Sequence, residues 1–328
     1  MLRYFIVFSG VLVFSMLSVL VLGKWALRRK LLQAQGVPLV GGIAIFVSFT
    51  AGYFFGAYVF GVPPGRIIPV IGVSSLVFLF GLVDDLKELS VLQKFLFQSA
   101  CAVALISLGV STDIMYLGFW GNALVTFFWI LGVTNAFNLL DIMDALAAGV
   151  AVIVSSALLT VSFLNPDINM QICFLVLCAA SLGFLVFNLP PARAYLGNSG
   201  SHLLGFLICA FVLILRYASE ENAFALLSPV LILWLPIIDT LLLIVFRVMK
   251  RKIPFKKSDD HIAFRIRLHA AGPVKTILFM FLLCLIFSSA GVLLTRVSNY
   301  AAIAIIITVF FSSVILFWKL IQIDVREQ

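Results

Sequence analysis

Two adjacent carboxylates, Asp84 and Asp85, close a long apolar run of this chain and are followed by Lys87 and Glu88. A pair of neighbouring carboxylates can bind a divalent cation, or one can act as a base while the other steers it. An ordinary charged helix end, with solvated side chains, is the alternative. The pair alone does not decide between these interpretations.

A second acidic stretch carries amides and carboxylates at steps of three residues, at Asn135, Asn138, Asp141 and Asp144. Residues three apart are neighbours on a helix surface. A longer run at this spacing drifts around the helix, so we expect a helix to start, end or bend within residues 135–149. Carboxylates near the end of a membrane helix are costly and mark functional sites. The stretch therefore predicts a functional site, with a polar loop between two spans as the alternative.

Two further segments carry polar groups between or inside apolar runs. Gly197, Ser199 and Gly200 lie at the start of a run after a proline-rich loop, where backbone amides can gather at a helix N-terminus and hold an anion. A simple helix cap is the alternative, and we interpret His202 as a packing residue. Asp239 lies inside an apolar run, which predicts a buried carboxylate that supports the site.

The composition predicts an all-α integral membrane protein. The chain has 328 residues, of which 63% are hydrophobic and 11% charged, and its mean hydropathy is +1.19. We expect a polytopic bundle of about eleven transmembrane helices, each of roughly 20 residues, in one domain over residues 1–328, with a retained first anchor. The runs lie near residues 4–22, 40–60, 67–83, 91–110, 117–134, 145–164, 168–187, 200–216, 224–246, 274–295 and 300–318.

Basic residues orient this bundle, because Lys and Arg concentrate in cytoplasmic loops. The first loop holds Lys24, Arg28, Arg29 and Lys30, which predicts an outside N-terminus and a cytoplasmic C-terminus. The same orientation puts every polar cluster on the cytoplasmic side, including Asn198. It also places there a long basic loop at 247–273, which we expect to contribute to the site and to attract anionic groups.

The ordered set of motifs resembles the polyprenyl-phosphate N-acetylhexosamine-1-phosphate transferases, close to the branch that acts with undecaprenyl phosphate and N-acetylglucosamine. The resemblance covers nearly the whole chain. It rests on the segments Pro38–Gly42, Asp84–Ser90, Lys94 with Gln98, Asn135–Gly149, Phe187–Gly205, Pro236–Asp239, and the region of His261 and Arg265.

The resemblance implies transfer of a sugar 1-phosphate from a UDP-sugar to a polyprenyl phosphate with release of UMP, as the first membrane step of cell-envelope polysaccharide synthesis. The expected cation is Mg²⁺, with Mn²⁺ as a substitute, and the expected location is the plasma or inner membrane with the site facing the cytoplasm. The expected partners are polyprenyl phosphate, a UDP-N-acetylhexosamine and the membrane, without nucleic acid; a homodimer is left open.

The implied residues are Asp84, Asp85, Asp141 and Asp144 as catalytic; Lys94, Asn135, Asn138, Gly197, Ser199, Gly200, His261 and Arg265 as substrate-binding; and Asp141, Asp144 and Asn198 as metal ligands.

Within these sets the resemblance implies more specific roles. Asp84 or Asp85 would prepare the lipid phosphate as the nucleophile. Asp141 and Asp144 would organise the metal, the pyrophosphate or the nucleotide. The later residues, His261 and Arg265, would contact the diphosphate or the sugar.

The sequence departs from the family pattern at several positions. Asn198 stands where the family usually has a metal-binding Asp, and Ile142 and Ala145 replace glycines of an Asp-Gly-x-Asp-Gly motif. Ala263 and Phe264 stand where many members have further histidines, and the first loop has no histidine near Arg29-Lys30.

These departures leave two other hypotheses open. One is a family member that has lost or weakened its activity and serves in binding or scaffolding. The other is a secondary transporter, which would require inverted repeats. The late loop does not resemble the triple-histidine form of the peptidoglycan branch, so we favour the branch that primes O-antigen, teichoic-acid-like or exopolysaccharide chains. UDP-N-acetylglucosamine is the default donor for this branch.

Overall fold

The computed structural model describes residues 1–217, 222–249, 261–269 and 272–322. Helices dominate these residues, which confirms the all-α prediction. The chain divides into two compact units, Met1–Arg216 and Tyr217–Gln328. Whether they act as the single domain expected from the sequence stays a prediction.

The first unit begins with a long helix and a short hairpin and continues as seven further helices. In the hairpin, Gln33 lies opposite Pro38 and Ala34 opposite Val37 in antiparallel pairing. The elements are α1 (Leu2–Arg29), β1 (Gln33–Ala34), β2 (Val37–Pro38), α2 (Gly41–Phe60), α3 (Ile67–Leu86), α4 (Val91–Ser107), α5 (Gly118–Leu140), α6 (Leu146–Leu164), α7 (Ile168–Asn188) and α8 (Gly197–Ile214).

Helix α8 is the core of this unit. All its residues from Ser199 to Val212 are buried, and it packs against α2, α3, α5 and α6. The closest approach is to α3, where a Cβ atom added at Gly81 would lie 2.5 Å from the Ser199 Cα atom. Only glycine permits this crossing, so the end of α3 and the start of α8 are held at backbone contact.

The second unit contains a broken helix. Its elements are a 3₁₀ turn (Ala223–Leu227), α9 (Ser228–Ile232), α10 (Trp234–Met249), α11 (Ile262–His269), α12 (Pro273–Leu294) and α13 (Asn299–Ile321). The segments Ala223–Ile232 and Trp234–Met249 meet at a 70° bend. Pro236 has no N–H to donate to the carbonyl of Ile232. The Ser288 hydroxyl donates to that carbonyl instead, at 3.1 Å, so the break is satisfied by α12.

Within the described residues, nine helices are long and apolar enough to cross a membrane, and the bent pair would make ten. The protein is therefore a multi-pass membrane protein. The shorter apolar helix Val91–Ser107 corresponds to the remaining run expected from the sequence. The number of spans and their orientation stay predictions.

Candidate functional site

Asp85, near the end of α3, accepts three hydrogen bonds from the start of α8. The Asn198 amide donates to Oδ1 at 2.6 Å, and the Ser199 amide and hydroxyl donate to Oδ2 at 3.0 and 2.6 Å. The free amides of a helix N-terminus carry partial positive charge and attract anions. The anion at this helix N-terminus is the chain's own carboxylate.

Asp84 turns to the other side and joins α3 to α4. Its Oδ1 accepts the Leu89 amide at 2.9 Å, and its Oδ2 lies 2.6 Å from the Lys94 ammonium. Asp84 is buried, whereas 24% of the Lys94 side chain is exposed. Ser90 lies between them in sequence and forms a reciprocal capping box with Gln93, which fixes the start of the helix that carries Lys94.

Amide side chains join α5 to its neighbours at the same end of the unit. Asn138 Nδ2 donates to Asn198 Oδ1 at 3.1 Å and to the Ser201 hydroxyl at 3.0 Å, both on α8. Asn135 Nδ2 donates to Gln98 Oε1 on α4 at 2.6 Å, and Gln98 Nε2 donates back at 3.3 Å. The ends of α3, α4, α5 and α8 are therefore held together by one series of polar contacts.

The second acidic stretch forms the turn between α5 and α6, which confirms that a helix ends and another starts there. Asp141 follows the last residue of α5. Asp144 Oδ2 accepts the Ala192 amide at 3.0 Å, which ties the turn to the loop before α8. Ala145 adopts φ 65° and ψ −17°. This left-handed conformation is unfavourable for alanine by about 1–2 kcal/mol, so surrounding contacts must hold it.

A buried amide supplies those contacts. Asn188, at the end of α7, accepts the Ala145 amide at 2.9 Å and donates to the Ala194 carbonyl at 2.9 Å. It therefore joins the acidic turn to the loop that leads into α8. Sequence reasoning did not assign Asn188 or Ser201 to the site. The signal available for Asn188 was an amide at the end of an apolar run, directly before Leu189 and two prolines.

The glycines at the start of α8 serve its close packing. Gly197 has φ 75°, and a Cβ atom there would lie 2.7 Å from Asp85 Oδ2. A Cβ atom at Gly200 would lie 2.4 Å from the Leu196 side chain. Of the residues whose amides we expected to hold a substrate anion, Ser199 donates its amide to Asp85; substrate binding by Gly197, Ser199 and Gly200 stays a prediction. His202 is buried as expected, and its Nδ1 lies 2.7 Å from the Asn198 carbonyl oxygen.

The side-chain oxygens of Asp141, Asp144 and Asn198 are the candidate ligands for a cation. In the part of the chain that the structure describes, no three His, Cys, Asp or Glu side chains are grouped to hold an ion. Asn198 Oδ1 already accepts from Asn138, and Asp144 accepts from Ala192. Mg²⁺ commonly binds one or two carboxylates and completes its shell with water and substrate phosphates. Asp141 and Asp144 suit such a site better than a complete protein cage.

The second unit holds the late candidates. His261 Nδ1 lies 2.8 Å from Asp239 Oδ2, and the Ile262 amide donates to Asp239 Oδ1 at 2.8 Å. The Arg265 guanidinium stacks 3.8 Å above the Phe246 ring centre and donates to the Leu320 carbonyl. His261, Arg265 and Asp239 are all buried. The basic clusters Lys250–Lys252 and Lys256–Lys257, and Asp259-Asp260, lie outside the described residues.

Known proteins match this chain over the helices α3 to α8, which carry the site of the first unit. Residues 67–216 match the model of glycosyl transferase family 4. A probable undecaprenyl-phosphate N-acetylglucosaminyl 1-phosphate transferase of Bacillus subtilis (strain 168) is 30% identical over 289 residues, which cover 85% of this chain and 79% of that protein. This chain belongs to glycosyl transferase family 4.

Two other polyprenyl-phosphate sugar transferases are similar over most of the chain. The decaprenyl-phosphate N-acetylglucosaminephosphotransferase of Mycobacterium leprae is 27% identical, covering 86% of this chain and 80% of that protein. The undecaprenyl-phosphate alpha-N-acetylglucosaminyl 1-phosphate transferase of Thermotoga maritima is 29% identical, covering 79% and 77%. The range that matches the family model contains every candidate site residue of the first unit.

Proposed function

We propose that this protein transfers N-acetylglucosamine 1-phosphate from UDP-N-acetylglucosamine to a polyprenyl phosphate and releases UMP. One observation carries the proposal: the ends of α3, α4, α5 and α8 join carboxylates, amides and Lys94 at one end of a bundle of apolar helices. Such a place can receive a phosphate from the bilayer and a nucleotide from water. The names of the relatives supply the sugar and the lipid.

The chemistry is an in-line phosphoryl transfer, which depends on positioning and charge neutralisation. An oxygen of the lipid phosphate forms a bond to the sugar-bound phosphorus. The bond from that phosphorus to the bridging oxygen breaks, and the oxygen leaves with UMP. Lys94, held by Asp84 and partly exposed, offers a positive charge to the lipid phosphate.

Asp141 and Asp144 would hold Mg²⁺, or Mn²⁺ in its place, together with the diphosphate of the donor. When bound, the cation supplies charge neutralisation on the phosphate oxygens. The Asp144 carboxylate is oriented for this by the Ala192 amide. Asn138 keeps the end of α5, and so Asp141, next to the first turn of α8.

We place the reaction at the cytoplasmic face of the plasma or inner membrane, because the basic residues of the sequence concentrate in the loops on the side of these motifs. UDP-sugars would reach it from the cytosol. The long basic loop supports this side, since clustered Lys and Arg favour anionic surfaces and phosphates. Roles for His261 and Arg265 at the diphosphate or the sugar stay predictions.

The deciding experiment measures UMP release from UDP-N-acetylglucosamine by the purified protein with polyprenyl phosphate and Mg²⁺. Asp84→Asn, Asp141→Asn and EDTA should each remove turnover. Ser155→Ala is the matched control, because Ser155 is buried in α6 and its hydroxyl has no partner among the described residues. Full turnover in Asp84→Asn and Asp141→Asn would reject this site. No turnover with any UDP-sugar would reject the activity.

A weakened or inactive family member is the second candidate, and Asn198 favours it. An amide brings no negative charge to a place where the family pattern has a carboxylate. The Asn138 amide could donate equally well to an Asp at this position. We therefore expect Asn198→Asp to fold normally and to bind Mn²⁺ about tenfold more tightly, since ligand charge sets such affinities. Electron paramagnetic resonance of bound Mn²⁺ measures this directly.

The same variant separates the two candidate functions. Activity that appears only in Asn198→Asp would establish the natural protein as a weakened member. Equal turnover in the natural protein and the variant would reject that candidate.

A further inference from the structure

We infer that Asp85 is a positioning residue, which orders the first turn of α8, and not the base that prepares the lipid phosphate. The inference rests on the proposed function and gives the adjacent carboxylates Asp84 and Asp85 different roles.

Both oxygens of Asp85 are already engaged by donors of the chain itself. Oδ1 takes one amide at 2.6 Å, and Oδ2 takes an amide at 3.0 Å and a hydroxyl at 2.6 Å. A general base must reach the proton that it removes within about 2.6–3.2 Å. The backbone at Gly197 also crowds Oδ2, since even a methyl group there would lie 2.7 Å away. Asp85 is half-buried, and a substrate atom could replace one of these donors only by displacing the first turn of α8.

The contacts that follow Asp85 lead to the acidic turn. The turn of α8 that Asp85 caps carries Asn198 and Ser201, and both side chains meet Asn138. Asn138 lies three residues before Asp141 on the last turn of α5. A shift at the α8 N-terminus therefore moves the amide that holds the end of α5. Functional groups need support within about 0.5 Å, so a change at Asp85 should reduce activity through this path.

The test uses a variant that removes a donor without touching the carboxylate. Ser199→Ala deletes one bond to Asp85 and should lower kcat/KM for UMP release about 5- to 10-fold. Asp85→Asn keeps the size but loses the charge and one acceptor, and should lower it about 30-fold. The double variant should match Asp85→Asn within about 3-fold, because Ser199 acts through Asp85. The shape of the pH–rate profile should not change in any of them, and Ser155→Ala should equal wild type.

A catalytic base would give a different pattern. Asp85→Asn would then lose about 10²–10⁴-fold and the acidic limb of its pH profile. That result overturns the inference.

Hydrogen exchange separates a failure of this inference from a failure of the proposed function. If the wild-type protein has no transferase activity, the capping is still measurable. Peptides that contain residues 198–201 should exchange faster in Asp85→Asn and Ser199→Ala than in Ser155→Ala. Unchanged exchange in both variants would overturn the inference whatever the activity.

Discussion

Two carboxylates, the half-buried Asp85 in the first unit and the buried Asp239 in the second, are placed alike but are bound by different partners. Each lies in an apolar helix and accepts the amide of a residue at the start of another helix, α8 or α11. The second oxygen of Asp85 takes the amide and hydroxyl of Ser199, whereas that of Asp239 takes the imidazole of His261. One carboxylate therefore holds the backbone and hydroxyl of a helix start, and the other holds an imidazole together with a helix start.

The difference shows how a membrane helix can carry a carboxylate. A buried charge is tolerated when it is paired and hydrogen-bonded, and a helix N-terminus supplies amides with partial positive charge. The side chain that donates to the second carboxylate oxygen then decides the role. At Asp85 this side chain is the Ser199 hydroxyl, and none of the donors to this carboxylate titrates near neutral pH. With an imidazole, the carboxylate selects which ring nitrogen carries the proton.

Replacing either carboxylate with alanine should have the largest effect on the free energy of unfolding, and the two losses should differ. Asp85→Ala leaves three donors without their acceptor, two of them on the buried Ser199, and Asp239→Ala leaves two buried donors. Each unsatisfied buried group costs about 1–3 kcal/mol. We expect the free energy of unfolding to fall by about 4 kcal/mol for Asp85→Ala and about 3 kcal/mol for Asp239→Ala, measured by titration from mild detergent into SDS. Equal losses in Ser155→Ala would show that the assay does not detect these contacts.

A third helix start, that of α6, sharpens the comparison because the side chain that accepts an amide there is the uncharged Asn188. Helix α6 begins after Ala145, whose amide donates to Asn188 while its φ stays at 65°. A β-branched residue is a true outlier in this region. Ala145→Val should therefore destabilise the protein by about 2 kcal/mol.

Glycine is the matched control at this position. Ala145→Gly removes the backbone strain but loses a buried methyl group worth about 0.8 kcal/mol, so its stability should stay within about 1 kcal/mol of wild type. The thermal midpoints of both variants in detergent measure the difference. A valine variant as stable as the glycine variant would show that the turn adopts another conformation.

Sequence patterns predicted the elements of the first unit well, because apolar runs and their polar ends determine where membrane helices begin and end. The break at residues 135–149 was found from the three-residue spacing. Which donor meets which carboxylate was not predictable. Asp84 or Asp85 was expected to prepare the lipid phosphate, but the sequence did not indicate that Asp85 meets Asn198 and Ser199, which are 113 and 114 residues away. Only helix packing at Gly81 and Gly197 brings these groups together, and no local pattern encodes it.

The acidic turn shows the same limit at a single residue. Alanine at position 145 was identified as a departure from a glycine pattern, and the structure shows the positive φ that glycine would relieve. The compensating residue, Asn188, lies at the end of a different helix. Periodicity could place it at a helix end, but not opposite Ala145.

Replacing each carboxylate by its amide should have the smallest effect on stability and tests the comparison most directly. An Asn at position 239 could still accept the Ile262 amide through Oδ1. Its Nδ2 could donate to His261 Nδ1 if the neutral ring moves its proton to Nε2. Both contacts survive, so Asp239→Asn should lose less than about 1 kcal/mol. Asp85→Asn should lose more, because the Ser199 amide can only donate and would face an NH₂ group.

The tautomer is the readout that stability alone does not provide. In the natural protein we expect the carboxylate of Asp239 to accept a proton held on His261 Nδ1, whereas Asp239→Asn should place the proton on Nε2. Nitrogen-15 spectra of labelled histidine distinguish these forms, and the chain has only 3 histidines, so a His261→Gln spectrum assigns the signal. If Nδ1 stays protonated in Asp239→Asn, or if this variant loses as much stability as Asp239→Ala, then Asp239 does not select the ring state. Asp239 would then fix geometry as Asp85 does, and the two carboxylates would differ only in the number of donors that they hold.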